Sequence, residues 1–339
     1  MENITDGALL FKSQSAAVQQ ALRQACEAAS QDGSFLITGE SGTGKSILAC
    51  FIYQRSSRRQ EPFQIIDFAS VTEHLIASEL FGHKKGAFTG AVDNKTGLLE
   101  QAHKGTLFLD EIGTMPPPMQ TKLLTFLDTQ TFTRMGETKP VKVDVRVIAA
   151  TNEDLWRCVQ EKTFREDLFH RLNVINLYLP PLRERMEELP DLLELYRCEL
   201  NVHRRDHKPP IRSYHPEVIE ILRQYDFPGN LRELKNILIF AFTFNEGEAL
   251  SPEYIMEKLS RNHWEEKESL KIDPAQPYTK ASEQFQRLYL VELLKRHQGN
   301  VKTSAAEAGM SQQNLNKLIK KHGINRHVFK KKPKKWKKY

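Results

Sequence analysis

A single eight-residue stretch limits what this chain can fold into. Residues 39–46 match the phosphate-binding pattern G-x-x-x-x-G-K-[ST] at every fixed position. The apolar run Phe35–Thr38 before it is typical of a buried strand, and the run Ile47–Ile52 after it is typical of a helix. Glycines let backbone N–H groups turn towards phosphate oxygens, and a helix N-terminus adds partial positive charge. The stretch therefore predicts a nucleotide-binding loop and disfavours a simple glycine-rich turn.

Each residue of this loop is a candidate nucleotide contact. The set is Gly39, Glu40, Ser41, Gly42, Thr43, Gly44, Lys45 and Ser46. We expect Lys45 to reach the β- and γ-phosphates and the Ser46 hydroxyl to ligate Mg²⁺. The predicted ligands are therefore ATP and Mg²⁺.

Composition excludes several classes of protein. The 339 residues are enough for two or three domains, and 27% charged with 40% hydrophobic residues is ordinary for a globular protein. The four cysteines lack C-x-x-C spacing, which favours reduced thiols in the cytoplasm. The acidic amino terminus does not resemble a signal peptide, and we expect no membrane span. Eight of the basic residues lie in 326–339, so the excess positive charge belongs to a tail.

Short apolar runs alternate with helical patterns through the first half of the chain. A helix is predicted from Leu9 to Ala29, and further strands are predicted at Pro62–Asp67, Thr106–Leu109 and Val145–Ala150. Strands that alternate with helices indicate an α/β fold with a mostly parallel sheet covered on both faces.

Polar residues follow two of these strands. Asp110 and Glu111 come directly after one, where Asp110 could hold Mg²⁺ and Glu111 could orient or deprotonate a water that attacks the γ-phosphate. Asn152 closes the next strand and could position the same water, although asparagine is equally common as a turn residue. Because a phosphate loop precedes the acidic pair, a catalytic role is favoured over a loop or helix cap.

A glycine-flanked segment interrupts the α/β pattern. It consists of Gly86, Ala87, Phe88, Thr89, Gly90 and Ala91. Its composition predicts a mobile loop that presents Phe88 and Thr89, or a surface turn with no further role.

The C-terminal part has a different character. Residues 261–281 are polar, contain two prolines and are predicted to be a linker, and Ser282–His297 is strongly helical. A short helix, a glycine turn and an N-capping serine then lead into a polar helix. The candidate DNA contacts are Ser311, Gln312, Gln313, Asn314, Asn316, Lys317, Lys320 and Lys321. A solvated polar helix is the alternative. We expect the tail 326–339 to be disordered and to bind the DNA backbone, or only to aid solubility.

The run 86–91 resembles the signature hexapeptide of the bacterial enhancer-binding proteins, the AAA+ activators of sigma-54 RNA polymerase. The resemblance covers nearly the whole chain. The other matching blocks are the phosphate loop, Ser78–His83, Gly105–Glu111, Ala150–Asn152, Phe164–Leu168, Leu179–Arg185 and Pro228–Asn236.

This resemblance implies a AAA+ P-loop NTPase with an appended all-α DNA-binding domain. The implied domains are an α/β nucleotide-binding subdomain at 1–180, a helical lid at 181–260, the linker, and a Fis-type helix-turn-helix at 282–325 with the basic tail after it. The implied activity is ATP hydrolysis that converts a closed promoter complex to an open one.

The resemblance also implies roles for single residues. Arg165 and Arg171 would be fingers that reach the γ-phosphate held by a neighbouring subunit. Without the family resemblance, we would favour pairing of both arginines with nearby acidic residues. Arg232 would sense nucleotide from the lid. The hexapeptide would contact sigma-54, and a second loop around Glu137–Pro140 would move with it. Fingers supplied in trans imply a homo-oligomeric ring, a hexamer by resemblance.

Two departures from the family stand out. Asp67 occupies the position where these activators carry an asparagine that couples the catalytic glutamate to the sigma-contacting loop, so the coupling is in question. No N-terminal receiver or sensor domain is expected in the sequence given. Control would then come from expression level or a partner such as an anti-activator, and a mixed ring with a paralogous subunit stays open.

The rival functions are a small-molecule kinase and a sigma-54-independent DNA-binding regulator with a vestigial ATPase.

Overall fold

The computed structural model describes residues 13, 15–202, 204, 208–267, 278–297 and 299–322. The strands are β1 Phe35–Thr38, β2 Phe63–Asp67, β3 Gly82–His83, β4 Lys95–Thr96, β5 Thr106–Asp110, β6 Thr131–Thr133, β7 Pro140–Lys142, β8 Arg146–Thr151, β9 Ile175–Tyr178, β10 Ser213–Tyr214 and β11 Ala249–Leu250. The helices of the α/β part are α1 Ala16–Ala28, α2 Lys45–Arg55, α3 Glu73–Phe81, α4 Leu98–Gln101, α5 Pro117–Thr129, α6 Leu155–Gln160 and α7 Glu166–Leu172. Those that follow are α8 Leu189–Val202, α9 Pro216–Arg223, α10 Asn230–Phe244, α11 Pro252–Lys267, α12 Tyr278–Arg296, α13 Val301–Glu307 and α14 Gln312–Lys321, and 3₁₀ turns span Ile112–Thr114, Leu182–Glu184 and Met186–Glu188.

Five parallel strands form the central sheet, in the order β2-β5-β8-β1-β9. Successive side chains alternate between its two faces: Leu107 and Leu109 pack in the core on one side, and Phe108 packs in the core on the other. Helices cover both faces, which is why the strands are apolar at nearly every position. The carboxyl ends of all five strands meet at one edge, which is where α/β sheets bind ligands.

The strands predicted from the sequence are present within one or two residues of their expected bounds. Helix α1 is shorter than predicted and begins at Ala16, because Ser15 has extended backbone angles at the N-cap. Residues 9–12 and 14 of the predicted helix lie outside the described part of the chain.

The lid follows β9 and has a hydrophobic core of its own. Its helices α8 to α11 enclose Leu193, Leu222, Leu234 and Ile237 among other buried side chains. Phe227 is fully buried and meets Tyr225 edge to face, with 5.1 Å between ring centroids. The lid and the α/β subdomain belong to one compact unit that ends at Ser260.

The second unit begins at Arg261 and contains α12, α13 and α14. Leu290, Leu294, Val301, Leu315 and Ile319 form its core. The prediction of a linker at 261–281 is wrong in part, because helix α11 continues to Lys267 and helix α12 begins at Tyr278. Residues 261–267 contain no glycine or proline that would end a helix. Residues 268–277 and the basic tail 326–339 lie outside the described residues. Across the described part of the chain, no helix is long and apolar enough to cross a membrane.

Candidate active site

The phosphate loop joins β1 to α2 at the carboxyl edge of the sheet, and its backbone geometry requires glycine. Gly42 has φ of 78°, and a Cβ there would lie 2.3 Å from the carbonyl oxygen of Gly229. Gly44 is the N-cap of α2 with φ of 105°. A side chain at either position would be strained, since L residues rarely adopt this region. The loop therefore places the N-terminus of α2 towards the cavity beside it.

Lys45 reaches back across its own loop. Its Nζ donates to the carbonyl oxygens of Gly39 at 2.9 Å and Glu40 at 3.2 Å, and lies 3.6 Å from Glu111 Oε1. The side chain is only 5% exposed. Burial lowers the pKa of Lys45, and the negative charges of Glu111 and Asp110 oppose that shift. An ammonium group is thus held at the loop beside two carboxylates.

Ser46 and Asp110 are brought together from two separate elements. Ser46 Oγ on α2 donates to Asp110 Oδ2 at the end of β5, at 3.2 Å. Burial raises the pKa of Asp110 and the charge of Glu111 raises it further, while the Glu111 N–H, Lys45 and Ser46 lower it. A hydroxyl and a carboxylate at hydrogen-bond distance match the oxygen ligands that Mg²⁺ takes when phosphates complete its shell.

Glu111 turns sharply out of the strand. It has φ of 51°, in the left-handed region. Its Oε2 accepts a hydrogen bond from the backbone N–H of Asn152 at 3.2 Å, so the residue after β8 lies against the acidic pair. The sequence predicted that these residues would meet, and the parallel sheet brings Asp110, Glu111 and Asn152 to one edge.

The lid closes one side of a cavity of about 150 Å³. The loop and β5 contribute Gly42, Gly44, Lys45, Ser46, Ile47, Asp110 and Glu111 to its walls, and the lid contributes Tyr196, Leu231, Arg232 and Lys235. Arg232 Nη1 donates to Ser41 Oγ at 3.0 Å. The lid arginine predicted to sense nucleotide therefore faces the phosphate loop.

The two other predicted arginines lie elsewhere on the chain. Arg165 is the N-cap of α7 and binds both carboxylate oxygens of Asp167, at 3.0 and 2.6 Å. Arg171 in the same helix lies 3.2 Å from Asp128 and donates to the Leu127 carbonyl at 3.1 Å. Both are about half exposed, and neither is among the described residues that line the cavity of their own chain. The acidic pairing considered for Arg165 is therefore present in the single chain.

Asp67 ends β2 directly beside the acidic pair. It is in register with Asp110 on β5, and its Oδ1 accepts from the Ala69 N–H at 2.9 Å. An asparagine would retain that acceptor, so the local turn does not explain why this chain has an acid here.

The hexapeptide segment forms a turn closed by its own backbone. Gly86 N donates to the Ala91 carbonyl at 2.9 Å, and Ala91 N donates to the Phe88 carbonyl at 3.0 Å. Thr89 is exposed, as expected. Phe88 is half-buried and does not project freely as the sequence suggested, because its ring packs edge-on against His83 with 5.0 Å between centroids. Packing against the imidazole is more favourable for an apolar ring than full exposure to water.

The second predicted loop lies between β6 and β7 and is attached to the first. Lys84 N donates to the Met135 carbonyl at 3.0 Å, and the Glu137 carboxylate lies 3.7 Å from Lys84 Nζ and 3.1 Å from Arg134. A Cβ on Gly136 would be 2.8 Å from the Ala87 Cβ. The two loops are therefore in direct contact.

The candidate DNA-contacting side chains lie on α14. Gln312, Gln313, Asn314, Asn316, Lys317, Lys320 and Lys321 are exposed, whereas Leu315 and Ile319 are buried. Ser311 is the N-cap, and its Oγ accepts from the Asn314 N–H at 3.2 Å. Lys321 Nζ lies 3.4 Å from Glu283 on α12. This polar face remains a candidate surface.

Proteins of known family are similar to this chain in sequence and in fold. The chain matches the Sigma-54 interaction domain over residues 11–178 and the AAA+ ATPase lid domain over residues 183–271. The DNA-binding transcriptional regulator NtrC of Proteus hauseri is 37% identical, over 95% of this chain and 72% of the relative. The transcriptional regulatory protein GlrR of Escherichia coli (strain K12) is 38% identical, over 91% of this chain and 67% of its own length. NtrX from Brucella abortus, in its crystal structure with ADP, is 32% identical to this chain with a TM-score of 0.68. The match covers 92% of this chain and 68% of the NtrX chain.

The fold and the cavity define a AAA+ P-loop ATPase. The chain belongs to the NtrC-type family of sigma-54-dependent transcriptional activators. The family resemblance and the AAA+ fold predicted from the sequence are thereby confirmed.

Several residues at the site were given no role by the sequence. Arg183 and Asn230 bind the Glu40 carboxylate, and Arg185 donates from its Nη2 to the Thr43 carbonyl at 2.8 Å. Tyr196 and Lys235 line the cavity. The blocks Leu179–Arg185 and Pro228–Asn236 pointed to the right segments but not to these contacts.

Proposed function

We propose that this chain is an ATP-driven transcription activator that remodels sigma-54 RNA polymerase from a closed to an open promoter complex. The observation that carries the proposal is one compact unit that holds both a hydrolytic cavity and the segment 86–91 with Thr89 exposed at its turn. Membership of the sigma-54 activator family supports it.

The nucleotide would occupy the cavity between the phosphate loop and the lid. The N–H groups from Gly39 to Ser46 and the Lys45 ammonium would bind phosphate oxygens, and Arg232 would contact the nucleotide from the lid. Ser46 and Asp110 would hold Mg²⁺, which supplies positive charge to the phosphates when bound.

Hydrolysis requires a water aligned with the γ-phosphate. Glu111 would accept a proton from that water as its oxygen bonds to phosphorus and the bond to the β-phosphate oxygen breaks, releasing ADP and phosphate. Asn152 would position the same water, since its backbone already binds Glu111. The Lys45 ammonium lies 3.6 Å from Glu111 Oε1 and would stabilise the negative charge on the phosphate oxygens during this step.

Arg165 and Arg171 would act on the γ-phosphate of a neighbouring copy. Both guanidinium groups are half-exposed on α7 and away from the cavity of their own chain. A guanidinium supplied in trans stabilises the charge that develops during phosphoryl transfer. Head-to-tail contacts of this kind close into a ring, and we propose a hexamer.

The residues Gly86 to Ala91 would press on sigma-54. Loop 134–139 lies against them, so a displacement of one loop would move the other. Asp67 is the proposed switch position, because it lies in register with Asp110 next to the catalytic glutamate.

The polar face of α14 would bind double-stranded DNA upstream of the promoter as the second helix of a helix-turn-helix. Ser311, Gln312, Gln313, Asn314 and Asn316 would read or approach bases, and Lys317, Lys320 and Lys321 would contact phosphates. Action on polymerase and DNA implies a cytoplasmic protein. Its control would come from a partner such as an anti-activator or from expression level.

Asp67 supports two alternatives. A ring whose coupling is altered at this position would act beside a paralogous subunit, or the chain would regulate DNA without sigma-54 and with a vestigial ATPase. These alternatives predict hydrolysis or DNA binding without remodelling by this chain alone.

Nucleotide-dependent binding to purified sigma-54 tests the proposal. The parent chain should bind sigma-54 in the presence of Mg²⁺ and a hydrolysis-resistant ATP analogue, and Thr89→Ala should abolish binding while ATP affinity stays the same. Thr243→Ala, at an exposed threonine on lid helix α10, is the matched control and should bind like the parent. Equal binding by Thr89→Ala would remove the assignment of this loop.

A further inference from the structure

The outer side of the phosphate loop is fastened to the lid at four consecutive residues. The Glu40 carboxylate binds Arg183 and Asn230, the Ser41 carbonyl accepts from Asn230 Nδ2 at 3.0 Å, and the Gly42 carbonyl accepts from the Leu231 N–H at 3.0 Å. The Thr43 carbonyl accepts from a lid arginine. The bonds to the Ser41, Gly42 and Thr43 carbonyls each fix the plane of a peptide in the loop whose N–H groups would bind phosphate, whereas the bonds at Glu40 hold its side chain against the lid.

Asn230 is at the centre of this attachment. Its Nδ2 donates to Ser41 O and, at 3.2 Å, to Glu40 Oε2, and its Oδ1 accepts from the Leu182 N–H at 2.7 Å. The residue is fully buried, with φ of 52°, in a region that asparagine tolerates better than most side chains. Both its donor and its acceptor are thus used, each in a different direction.

Glu40 contributes to the same contact between the phosphate loop and the lid, from the loop side. Arg183 donates to both carboxylate oxygens, at 2.9 and 2.6 Å. These hydrogen bonds are the main reason why the pKa of Glu40 is lowered. The Glu40 side chain therefore points to the lid, and only its backbone remains available to nucleotide.

We propose that Asn230 and Glu40 are positioning residues for nucleotide binding: Asn230 holds the peptide between Ser41 and Gly42 in the orientation that directs the Gly42 N–H to phosphate, and the Glu40 carboxylate holds the Asn230 amide in place. The pair also makes lid position and phosphate-loop shape interdependent, because any displacement of the lid helix that carries Asn230 would move the Ser41–Gly42 peptide with it. This inference rests on the nucleotide site proposed above.

Asn230→Asp tests the pair with a change of one atom. The variant keeps an acceptor for Leu182 but places a carboxylate against the Glu40 carboxylate and the Ser41 carbonyl. We expect KM for ATP and the inhibition constant of ADP to rise about tenfold or more, with a smaller change in kcat, because a buried donor is lost. Asn236→Asp, the same change at an exposed site on helix α10, is the control and should match the parent.

The pH profile separates positioning from mere destabilisation. In Asn230→Asp, two carboxylates in contact favour uptake of a shared proton, which restores a donor, while the Arg183 guanidinium bonded to Glu40 favours the charged form and opposes that uptake in part. The KM penalty of Asn230→Asp should therefore shrink as the pH falls from about 8 to about 6, while the control shows no such trend. Adding Glu40→Gln to Asn230→Asp should lower KM relative to Asn230→Asp alone, since the glutamine amide introduced at position 40 can donate to the new carboxylate.

Glu40→Gln alone keeps the inference testable if Asn230→Asp does not fold. It removes a charge from a side chain that is 42% exposed, and it should raise KM for ATP several-fold with only a small fall in the melting temperature, because exposed ion pairs contribute little to stability. Unchanged KM in Glu40→Gln, together with a pH-independent penalty or none in a folded Asn230→Asp, would overturn the inference. A parent chain that binds no ATP would instead overturn the nucleotide site itself.

Discussion

Gly136 lies so close to Ala87 that a Cβ on the glycine would be 2.8 Å from the Ala87 Cβ. Gly136 also has φ of 74°, so an alanine there would be strained as well as crowded. The contact joins the loop between β6 and β7 to the segment proposed to press on sigma-54.

Gly136→Ala should therefore separate hydrolysis from remodelling. The displaced loop would no longer hold residues 86–91, while the nucleotide cavity is untouched. We expect near-parent ATP hydrolysis and loss of nucleotide-dependent sigma-54 binding, measured on the same preparation. Gly247→Ala is the matched control, because a Cβ there meets nothing closer than 3.9 Å. Normal sigma-54 binding by Gly136→Ala would contradict loop coupling.

The half-buried carboxylate of Asp110 should lower the stability of the nucleotide-free fold. Its folded pKa is raised above the ordinary value of 3.8 by burial and by Glu111. A raised carboxyl pKa contributes stability below the ordinary value, and that contribution is lost as the pH rises through the folded value. Asp110→Asn should thus raise the melting temperature at neutral pH by about 2 °C or more, and by less in acid, while hydrolysis is lost. A lower melting temperature at neutral pH would contradict this account of the carboxylate.

Complementary inactive subunits should restore hydrolysis when mixed. Arg165→Ala lacks the finger, which is worth about a thousandfold or more, and Glu111→Gln lacks the base. In a mixed ring, an intact cavity of the first variant meets the intact finger of the second, so ATPase activity should exceed that of either alone.

The control for this mixing experiment is Arg157→Ala, which breaks an exposed pair with Glu161 and should stay active. If the mixture gains nothing although both variants assemble, the fingers do not act between subunits.

The exposed face of α14 gives two separable expectations for DNA binding. Lys317→Ala should weaken binding to all sequences and reduce the slope of log affinity against log salt by about 1, because one phosphate contact is lost. Gln313→Ala should reduce discrimination between sites by about 1–3 kcal/mol with little change in slope. Lys104→Ala, at an exposed site of the α/β unit, is the control. Parent-like titrations for both helix variants would remove the DNA assignment.

Much of the nucleotide site was predictable because its signals are local. The glycine spacing of residues 39–46, the strand before it and the acids after β5 each depend on neighbours in sequence, and parallel pairing then brings their ends together. Asn230 was missed for the opposite reason: it meets Glu40 across 190 positions, and no periodicity reports such a contact. Phe88 was predicted to be exposed because local composition does not show that His83 lies beneath it.

The central claim is that ATP hydrolysis by this chain opens promoter DNA through sigma-54 RNA polymerase. The direct measurement is strand opening by purified sigma-54 polymerase on a promoter, with this protein and ATP, beside Thr89→Ala and Glu111→Ala. We predict opening by the parent and none by either variant, with hydrolysis retained in Thr89→Ala. ATP hydrolysis by the parent without any opening would contradict the claim and favour a mixed ring or uncoupling at Asp67.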